Sequence, residues 1–265
     1  MPEFIQLPET PSTHDELRAR WRDAGGALPS GTAIVTDTQT KGRGRHGRSW
    51  IAPAGKTIAL SVLVAAPDTD AARERFPWLA LAAGLALREV VRPLVPEDHS
   101  VTLKWPNDLL IDGRKSAGIL AELLDPMPGK LAASVGIGLN VLLAEDELPV
   151  PHATSLALAG AELSDAIIEE LPTLITDALM NRVDRLVNAA WSPKNAGLLA
   201  ELQEHCETVS QQVRASLPGG EVITGEAIAV LEDGRLELRL EDGSRRALSA
   251  ADVERVRPNL DPSAS

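Results

Sequence analysis

The sequence has 265 residues, of which 44% are hydrophobic and 24% are charged. This composition predicts a folded chain with room for one large and one small domain, and the formal net charge of -12 argues against broad, non-specific binding to nucleic acid or to an anionic membrane surface. Cys206 is the only cysteine and no apolar stretch reaches the roughly 18 residues of a membrane span, so we expect a cytoplasmic protein without disulfides, export or membrane insertion.

The first predicted helix and two predicted strands flank a basic stretch. Ser12 or Thr13 can cap a helix whose first turn is acidic. The segments 31–39 and 56–65 are rich in β-branched residues and predict strands. The stretch KGRGRHGRSW, residues 41–50, lies between these segments, and we predict that it forms a loop joining the two strands.

This basic loop concentrates positive charge in an acidic chain. Its glycines allow backbone N–H groups to approach an anion, and its arginines can bind that anion with forked, permanently charged side chains. The loop therefore indicates a site for phosphate or carboxylate groups. A solvated basic loop is the alternative that charge alone leaves open.

The middle of the chain predicts helices and a run of strands. Residues 76–91 are rich in Ala and Leu and predict a largely buried helix, and two more helices are expected at about 165–186 and 193–205. The segment 101–124 predicts strand, turn, strand, hairpin and strand, with an Asp-Gly pair at the hairpin. Residues 131–141 predict a further strand, in which two glycines allow a ligand or another backbone to come close.

Four polar residues surround the turn that follows the first of these strands. Lys104 and Lys115 stand at the ends of the segment, with Asn107 and Asp108 between them behind Pro106. Because a proline fixes the chain direction, we expect the Asn and Asp side chains to be presented in a turn. A carboxylate there can hold Mg²⁺ beside a nucleotide or accept a proton. An Asx turn and surface lysines are the alternatives.

The sequence changes character after Cys206. Short β-rich segments follow, separated by Pro and Gly turn signals, at 211–217, 221–231, 235–240 and 245–256. Short strands at this spacing predict a small barrel. We therefore expect a catalytic domain at 1–206 and a small C-terminal β-barrel domain at 207–260.

Four motifs in the first part resemble those of one enzyme family. QTKGRGRHGRSW, KWPND, GRKSAGILAE and GIGLN occur in the order and with roughly the spacing seen in biotin protein ligases. The resemblance is strong over about residues 10–143 and extends to the rest by architecture. It implies an α/β fold: a class II aminoacyl-tRNA-synthetase-like catalytic domain with a mixed sheet, followed by a small Src-homology-3-like β-barrel.

The resemblance also implies a reaction and its partners. Biotin is activated with ATP to biotinyl-5′-AMP and is then transferred to a lysine of a biotin carboxyl carrier protein domain of acyl-CoA carboxylases. Mg²⁺ is expected with ATP. Because only about ten residues precede Ser12, we expect the form without an N-terminal DNA-binding domain. Monomer and dimer both remain open.

The resemblance finally implies roles for individual residues. The implied catalytic residues are Arg45, Lys115 and Asp108, and Asp108 is also the implied metal ligand. The implied biotin-binding residues are Ser12, Thr13, His14, Gln39, Gly42, Arg43, Gly44, Arg45, Lys115 and Gly118. His14 stands where the family has the Asn of a Ser-Thr-Asn segment. The implied nucleotide-binding residues are Arg45, Arg48, Trp50, Lys104, Asn107, Gly136 and Asn140.

Two other functions are considered. A lipoate–protein ligase would use the same adenylate chemistry on a longer fatty acid. A nucleic-acid-binding module would use GRGRHGR as its contact tract, but 3% aromatic residues and the absence of tyrosine weigh against it. Trp78, Trp105 and Trp191 are interpreted as packing residues, and the barrel is either a cap on the nucleotide or a stabilising unit.

Overall fold

The computed structural model describes residues 2–217, 219–249 and 252–255. In chain order the strands are β1 (Phe4–Gln6), β2 (Ala33–Thr36), β3 (Gln39–Arg43), β4 (Ser49–Ala52), β5 (Thr57–Pro67), β6 (Val101–Lys104), β7 (Asp108–Ile111), β8 (Arg114–Leu123), β9 (Lys130–Asn140), β10 (Gln212–Ser216), β11 (Val222–Val230), β12 (Leu236–Arg239), β13 (Arg245–Leu248) and β14 (Asp252–Arg255). The α-helices are α1 (Thr13–Asp23), α2 (Asp70–Glu74), α3 (Trp78–Val91), α4 (Asp165–Asn188) and α5 (Leu198–His205).

The larger sheet is mixed, as predicted. Its seven strands lie in the order β1-β2-β5-β9-β8-β7-β6. The pairing of β1 with β2 is parallel, and the other pairings are antiparallel. At the centre of the sheet, β5 and β9 pair along their full length of 11 residues. This long pair of strands supports the face on which the candidate site lies.

The two sides of strand β9 differ in residue type: one side faces the hydrophobic core, and the other carries small and polar residues. Val135 and Ile137 are buried in the main core. Ser134, Gly136 and Gly138 alternate with them and point to the opposite face, because successive side chains of a strand lie on opposite sides of the sheet. The glycines leave space on this face for other groups.

Helices cover both faces of the larger sheet. On the core face, α3 packs against the strands and α4 packs against α3, which confirms the buried helix predicted at 76–91. On the other face, Leu17 and Trp21 of α1 pack with Ile34 and Leu63 of the central strands. Among the described residues, no helix has the length and apolarity needed to cross a bilayer.

The second sheet is smaller and antiparallel. Its five strands lie in the order β13-β12-β11-β10-β14. Helix α5 ends at His205, and β10, the first strand of this sheet along the chain, begins at Gln212. We propose a domain boundary after residue 206. The expected second domain extends to residue 260, and its part beyond residue 255 lies outside the described residues.

Two local predictions are wrong. The basic stretch is more than a simple loop: β3 and β4 pair as a two-stranded ribbon, joined by a 3-10 turn at Arg45–Gly47. Glycine and charged residues have low strand propensity, so the sequence of this stretch does not indicate the pairing. The helix expected from residue 193 begins only at Leu198, because Gly197 before it has a left-handed conformation with φ of 75°.

Candidate active site

A cleft of about 410 Å³ opens on the small-residue face of the larger sheet. The predicted site residues that line it are Gly44, Arg45, Arg48, Trp50, Lys104, Asn107, Asp108, Lys115, Gly118, Gly136 and Asn140. Asp108 is the only carboxylate among the described lining residues, beside two arginines and two lysines. The wall is therefore positively charged and favours an anionic ligand.

The ribbon places Arg45 against the turn between β6 and β7. Nη1 of Arg45 donates a hydrogen bond to Oδ1 of Asn107 at 3.2 Å. Nδ2 of Asn107 donates to the carbonyl oxygen of Ile119 at 2.9 Å, and the backbone nitrogen of Ile119 donates to the carbonyl oxygen of Asn107 at 2.9 Å. Asn107 is therefore fixed against β8, and it orients Arg45 at the cleft.

Lys115 and Asp108 face each other across the neighbouring strands β8 and β7. Nζ of Lys115 donates to Oδ1 of Asp108 at 2.6 Å. The two side chains are only 25% and 18% exposed. The hairpin between these strands turns at Asp112 and Gly113, which both have positive φ, as the predicted tight turn requires. The hairpin thus brings the predicted cation and carboxylate into one ion pair.

Trp50 of β4 covers two glycines of the sheet. A Cβ added at Gly118 would lie 3.0 Å from Cζ3 of the indole, and one added at Gly138 would collide with the ring. Nζ of Lys115 lies 5.8 Å from the ring centroid, within the range of a cation–π attraction. The indole Nε1 is buried and has no hydrogen-bond partner among the described residues. Glycine at 118 and 138 is what allows Trp50 to lie in the cleft.

A buried polar cluster lies where α1 meets the larger sheet. The backbone nitrogen and Oγ1 of Thr13 donate to Oε1 of Gln39 at 2.9 and 3.2 Å. Oγ of Ser61 donates to Oγ1 of Thr13 at 2.8 Å. A side chain at Gly42 would collide with Gln39, so the ribbon lies directly over this cluster. Thr13, Gln39 and Gly42 are therefore neighbours, although none of them lines the cleft itself.

His14 lies in the same region and is only 5% exposed. Its Nδ1 lies 2.6 Å from Oγ of Ser134, and its Nε2 is buried without a partner among the described residues. The ring lies against Gly136, which lines the cleft and where a side chain would clash with it. Burial lowers the pKa of His14 to about 4, so the ring is neutral near pH 7.

Arg43 and Ser12 are predicted biotin-binding residues that do not line the cleft. Arg43 donates two hydrogen bonds of 2.7 Å to Asp15, and these hold the pKa of the Asp15 carboxyl below its usual value. A second carboxylate, that of Glu122, lies 3.5 Å from Nη2 of Arg43. Ser12 caps α1 by accepting a hydrogen bond of 3.4 Å from the backbone of Asp15. Arg43 thus ties the ribbon to α1.

The segment 149–153 forms one wall of the cleft, although its sequence carries no motif that predicts a site. Its lining residues are Pro149, Val150, His152 and Ala153. The backbone nitrogen of Lys115 donates to the carbonyl oxygen of His152 at 2.8 Å, so this segment runs beside β8. Asn140 supports the same wall, because its Nδ2 donates to the carbonyl oxygen of Thr154 at 2.9 Å. No motif marks this segment, and only the fold brings it to the cleft.

Comparisons with known proteins give family matches over two parts of the chain. Residues 7–141 match the biotin/lipoate A/B protein ligase family, and residues 210–256 match the biotin protein ligase C terminal domain. Over 252 residues the chain is 38% identical to the biotin--[acetyl-CoA-carboxylase] ligase of Mycobacterium tuberculosis (strain ATCC 25618 / H37Rv), covering 95% of this chain and 88% of that protein. The chain belongs to the biotin protein ligase family. The family and the ligase activity predicted from the four motifs are confirmed.

Other members of the biotin protein ligase family show the same likeness. The biotin--[acetyl-CoA-carboxylase] ligase of Paracoccus denitrificans is 35% identical over 173 residues, which cover 64% of this chain and 70% of that protein. The solved structure of the biotin protein ligase from Aquifex aeolicus in complex with biotin and ATP has a TM-score of 0.72 and 26% identity, covering 97% of this chain and all of that one.

Proposed function

We propose that this ligase joins biotin to ATP as biotinyl-5′-AMP and then transfers the biotinyl group to a lysine of a biotin carboxyl carrier protein domain of an acyl-CoA carboxylase. The names of its relatives support biotin, ATP and a carboxylase as the reactants. The observation that supports the chemistry is a positively charged cleft with Arg45 and Lys115 in its wall and a glycine-rich ribbon at its side.

The first step brings two anions together. A carboxylate oxygen of biotin attacks the α-phosphorus of ATP, a new P–O bond forms, and pyrophosphate leaves. Negative charge concentrates on the α-phosphate in the transition state, and Arg45 and Lys115 offset it. Asn107 already orients Arg45, so this cation needs little rearrangement when the substrates bind. Arg48 and Lys104 add positive charge for the remaining phosphates.

We assign the ureido ring of biotin to the end of the cleft beside Thr13, His14 and Gln39. This ring carries two N–H donors and one carbonyl oxygen, and polar groups that are buried need hydrogen-bond partners. The unsatisfied Nε2 of His14 is such a partner at the Gly136 end of the cleft. The nucleotide would then lie at the basic end, with Trp50 and Asn140 near the adenine, and Gly136, a nucleotide contact by resemblance, would instead border biotin.

The second step requires a proton acceptor. The carrier lysine has a reference pKa of about 10.4 and must lose a proton before its nitrogen attacks the acyl carbon, after which AMP leaves. Asp108 is the proposed acceptor. Its carboxylate accepts a hydrogen bond from Lys115. The carboxylate becomes free to accept the proton when Lys115 turns toward the phosphate of the adenylate. The ion pair would thereby link the two steps.

Mg²⁺ is proposed as the partner of ATP. Among the described residues, no group of three or more His, Cys, Asp or Glu side chains could hold a metal ion by itself. Beside a nucleotide, however, Mg²⁺ is usually held by one or two carboxylates together with phosphates and waters. The single carboxylate of Asp108 fits this arrangement, in which the ion would supply further positive charge to the phosphates.

The finer fold assignments are proposals as well. The mixed sheet with helices on both faces supports the class II aminoacyl-tRNA-synthetase type for the first part. The five antiparallel strands support a Src-homology-3-like barrel for the second part. A cytoplasmic location is proposed because the single cysteine, Cys206, is buried and free.

The proposed function is tested by incubating the purified protein with biotin and α-labelled ATP. Labelled biotinyl-adenylate should form, and an added biotin-free carrier domain should then gain biotin. Lipoate in place of biotin is the discriminating control, because a lipoate ligase would convert lipoate and leave biotin unused. If neither acid gives an adenylate, the proposed function is wrong.

A further inference from the structure

Two buried tryptophans of the first part contact the second sheet, and one of them, Trp105, lines the cleft, as does Val253 of β14. Nε1 of Trp78 donates to the carbonyl oxygen of Glu232 at 2.8 Å, and Nε1 of Trp105 donates to the carbonyl oxygen of Gly234 at 3.0 Å. Both acceptors belong to the turn 231–235 between β11 and β12. The two tryptophans are fully buried. Among the residues that the structure describes, the turn is the only partner of each indole N–H.

The turn 231–235 is itself well fixed. The backbone nitrogen of Leu231 donates to the carbonyl oxygen of Arg235 at 2.7 Å, and that of Gly234 donates to the carbonyl oxygen of Leu231 at 2.9 Å. The carboxylate of Asp233 accepts hydrogen bonds from the backbone nitrogen and Nε of Arg235 at 3.0 and 2.6 Å. Gly234 has a left-handed φ of 84°. A turn held in this way presents its carbonyl oxygens in set positions.

The chain segment that joins the two sheets holds Trp105 from a second side. Oγ1 of Thr208 accepts a hydrogen bond of 2.9 Å from the backbone nitrogen of Trp105. The backbone nitrogen of Glu207 donates to the carbonyl oxygen of Leu103 at 2.9 Å, and the hydroxyl of Thr102 donates to the Glu207 carboxylate at 2.8 Å. The joining segment thus runs beside the edge strand β6, and its Thr208 contacts the backbone of Trp105.

Trp105 leads directly into the catalytic turn. Asn107 and Asp108 follow it by two and three residues, and Lys104 precedes it. Asn107 accepts a hydrogen bond from Arg45, and Asp108 accepts one from Lys115. A displacement of Trp105 would therefore shift both acceptors, and a shift of about 1 Å in such groups can slow a reaction on the order of a hundredfold.

We propose that Trp105 is a positioning residue of the ligase reaction. The turn 231–235 and Thr208 hold its indole and backbone N–H groups, and Trp105 in turn sets where Asn107 and Asp108 stand in the cleft. The second sheet acts on adenylate formation through this contact. This inference rests on the proposed function, because its readout is the formation of biotinyl-adenylate.

Trp105→Phe tests the inference, with Trp78→Phe as a matched control. Both changes remove one indole hydrogen bond to the same turn, and each leaves a carbonyl oxygen of that turn without its indole donor. Trp105 lines the cleft and continues into the catalytic turn, whereas Trp78 does neither. In single-turnover experiments with excess biotin and ATP, the amplitude of adenylate formation reports the folded fraction, and the rate constant reports the geometry of the site. We expect Trp105→Phe to lower the rate constant at least threefold and Trp78→Phe to leave it unchanged.

Thr208 supplies a second test that does not alter the cleft wall. Thr208→Val removes the hydroxyl that accepts from Trp105, whereas Thr208→Ser keeps it. We expect the rate constant to fall at least threefold in Thr208→Val and to return to the native value in Thr208→Ser. Equal rate constants in Thr208→Val and the native protein would overturn the inference, even if Trp105→Phe failed to fold. Absence of adenylate in the native protein would instead contradict the proposed function.

Discussion

Nζ of Lys115 and Oδ1 of Asp108 lie 2.6 Å apart, so the cation and the carboxylate assigned to two different steps form one ion pair. Both side chains are largely withdrawn from solvent. Removing either one leaves the other as a partly buried, unpaired charge, which is more costly than losing an exposed pair. Variants of the two residues therefore need readouts that separate adenylate formation from transfer.

Lys115→Ala should slow adenylate formation by more than about tenfold, which corresponds to a rise in the barrier above about 1.4 kcal/mol. The reason is the loss of a positive charge that offsets the α-phosphate in the transition state. Exchange of labelled pyrophosphate into ATP measures this step. Arg114→Ala is the control, because Arg114 is the next cation on β8 but pairs with Glu145 away from the cleft. Equal exchange rates in the two variants would contradict the role of Lys115.

Asp108→Asn should slow the transfer of biotin from preformed biotinyl-adenylate by about tenfold or more, because general bases contribute at least this much to such steps. The measurement is the rate at which a carrier domain gains biotin when the adenylate is supplied. Asp112→Asn makes the same chemical change at the other end of the hairpin, where Asn tolerates the left-handed conformation. Full transfer activity in Asp108→Asn would remove this residue from the second step.

Gly42→Ala should weaken biotin binding more than Gly44→Ala does. A Cβ at Gly42 would collide with the side chain of Gln39 and the carbonyl oxygen of Trp50, whereas one at Gly44 would lie 3.5 Å from the carbonyl oxygen of Arg48, in ordinary contact. The first change pushes the ribbon off the polar cluster, and the second leaves it in place. Calorimetry with biotin compares the two affinities. Similar losses in both variants would show that the ribbon's contact with Gln39 is unimportant for biotin.

The four motifs predicted the family, because their order and residue types are specific to it. The sequence also placed Asp108 and Lys115 in one hairpin segment, since Asp112-Gly113 is a turn whose backbone geometry depends on local sequence. Local signals were sufficient there because β7 and β8 are joined by a short turn.

Contacts between distant segments were not predictable in the same way. The segment 149–153 reaches the cleft because the backbone of Lys115 pairs with it. Such backbone pairing does not require particular side chains, so the sequence does not indicate it. The sequence predicts only a packing role for Trp105, whereas its link to the second sheet depends on a carbonyl oxygen at Gly234. The ribbon was missed because glycine and charge suppress the usual strand signal.

His14 should make stability depend on pH between about 4 and 6.5. Its pKa is about 4 in the folded chain, against 6.5 for the unfolded residue. Between these values the unfolded chain binds a proton that the folded chain does not bind, so the free energy of unfolding falls as the pH is lowered. The contribution lost by pH 4 is roughly 3 kcal/mol. Urea unfolding at pH 7, 6, 5 and 4 measures it.

His14→Asn is the variant that isolates this contribution from the other titrating groups of the protein. Asn does not titrate, so the difference in unfolding free energy between the native protein and this variant should shrink or reverse on acidification. Glu122 and Asp15 raise the pKa of His14 and Arg43 and Arg18 lower it, but these charges are present in both proteins. Parallel pH profiles would mean that the ring is charged or solvated in the folded chain, and would remove His14 Nε2 as a neutral partner for the ureido ring.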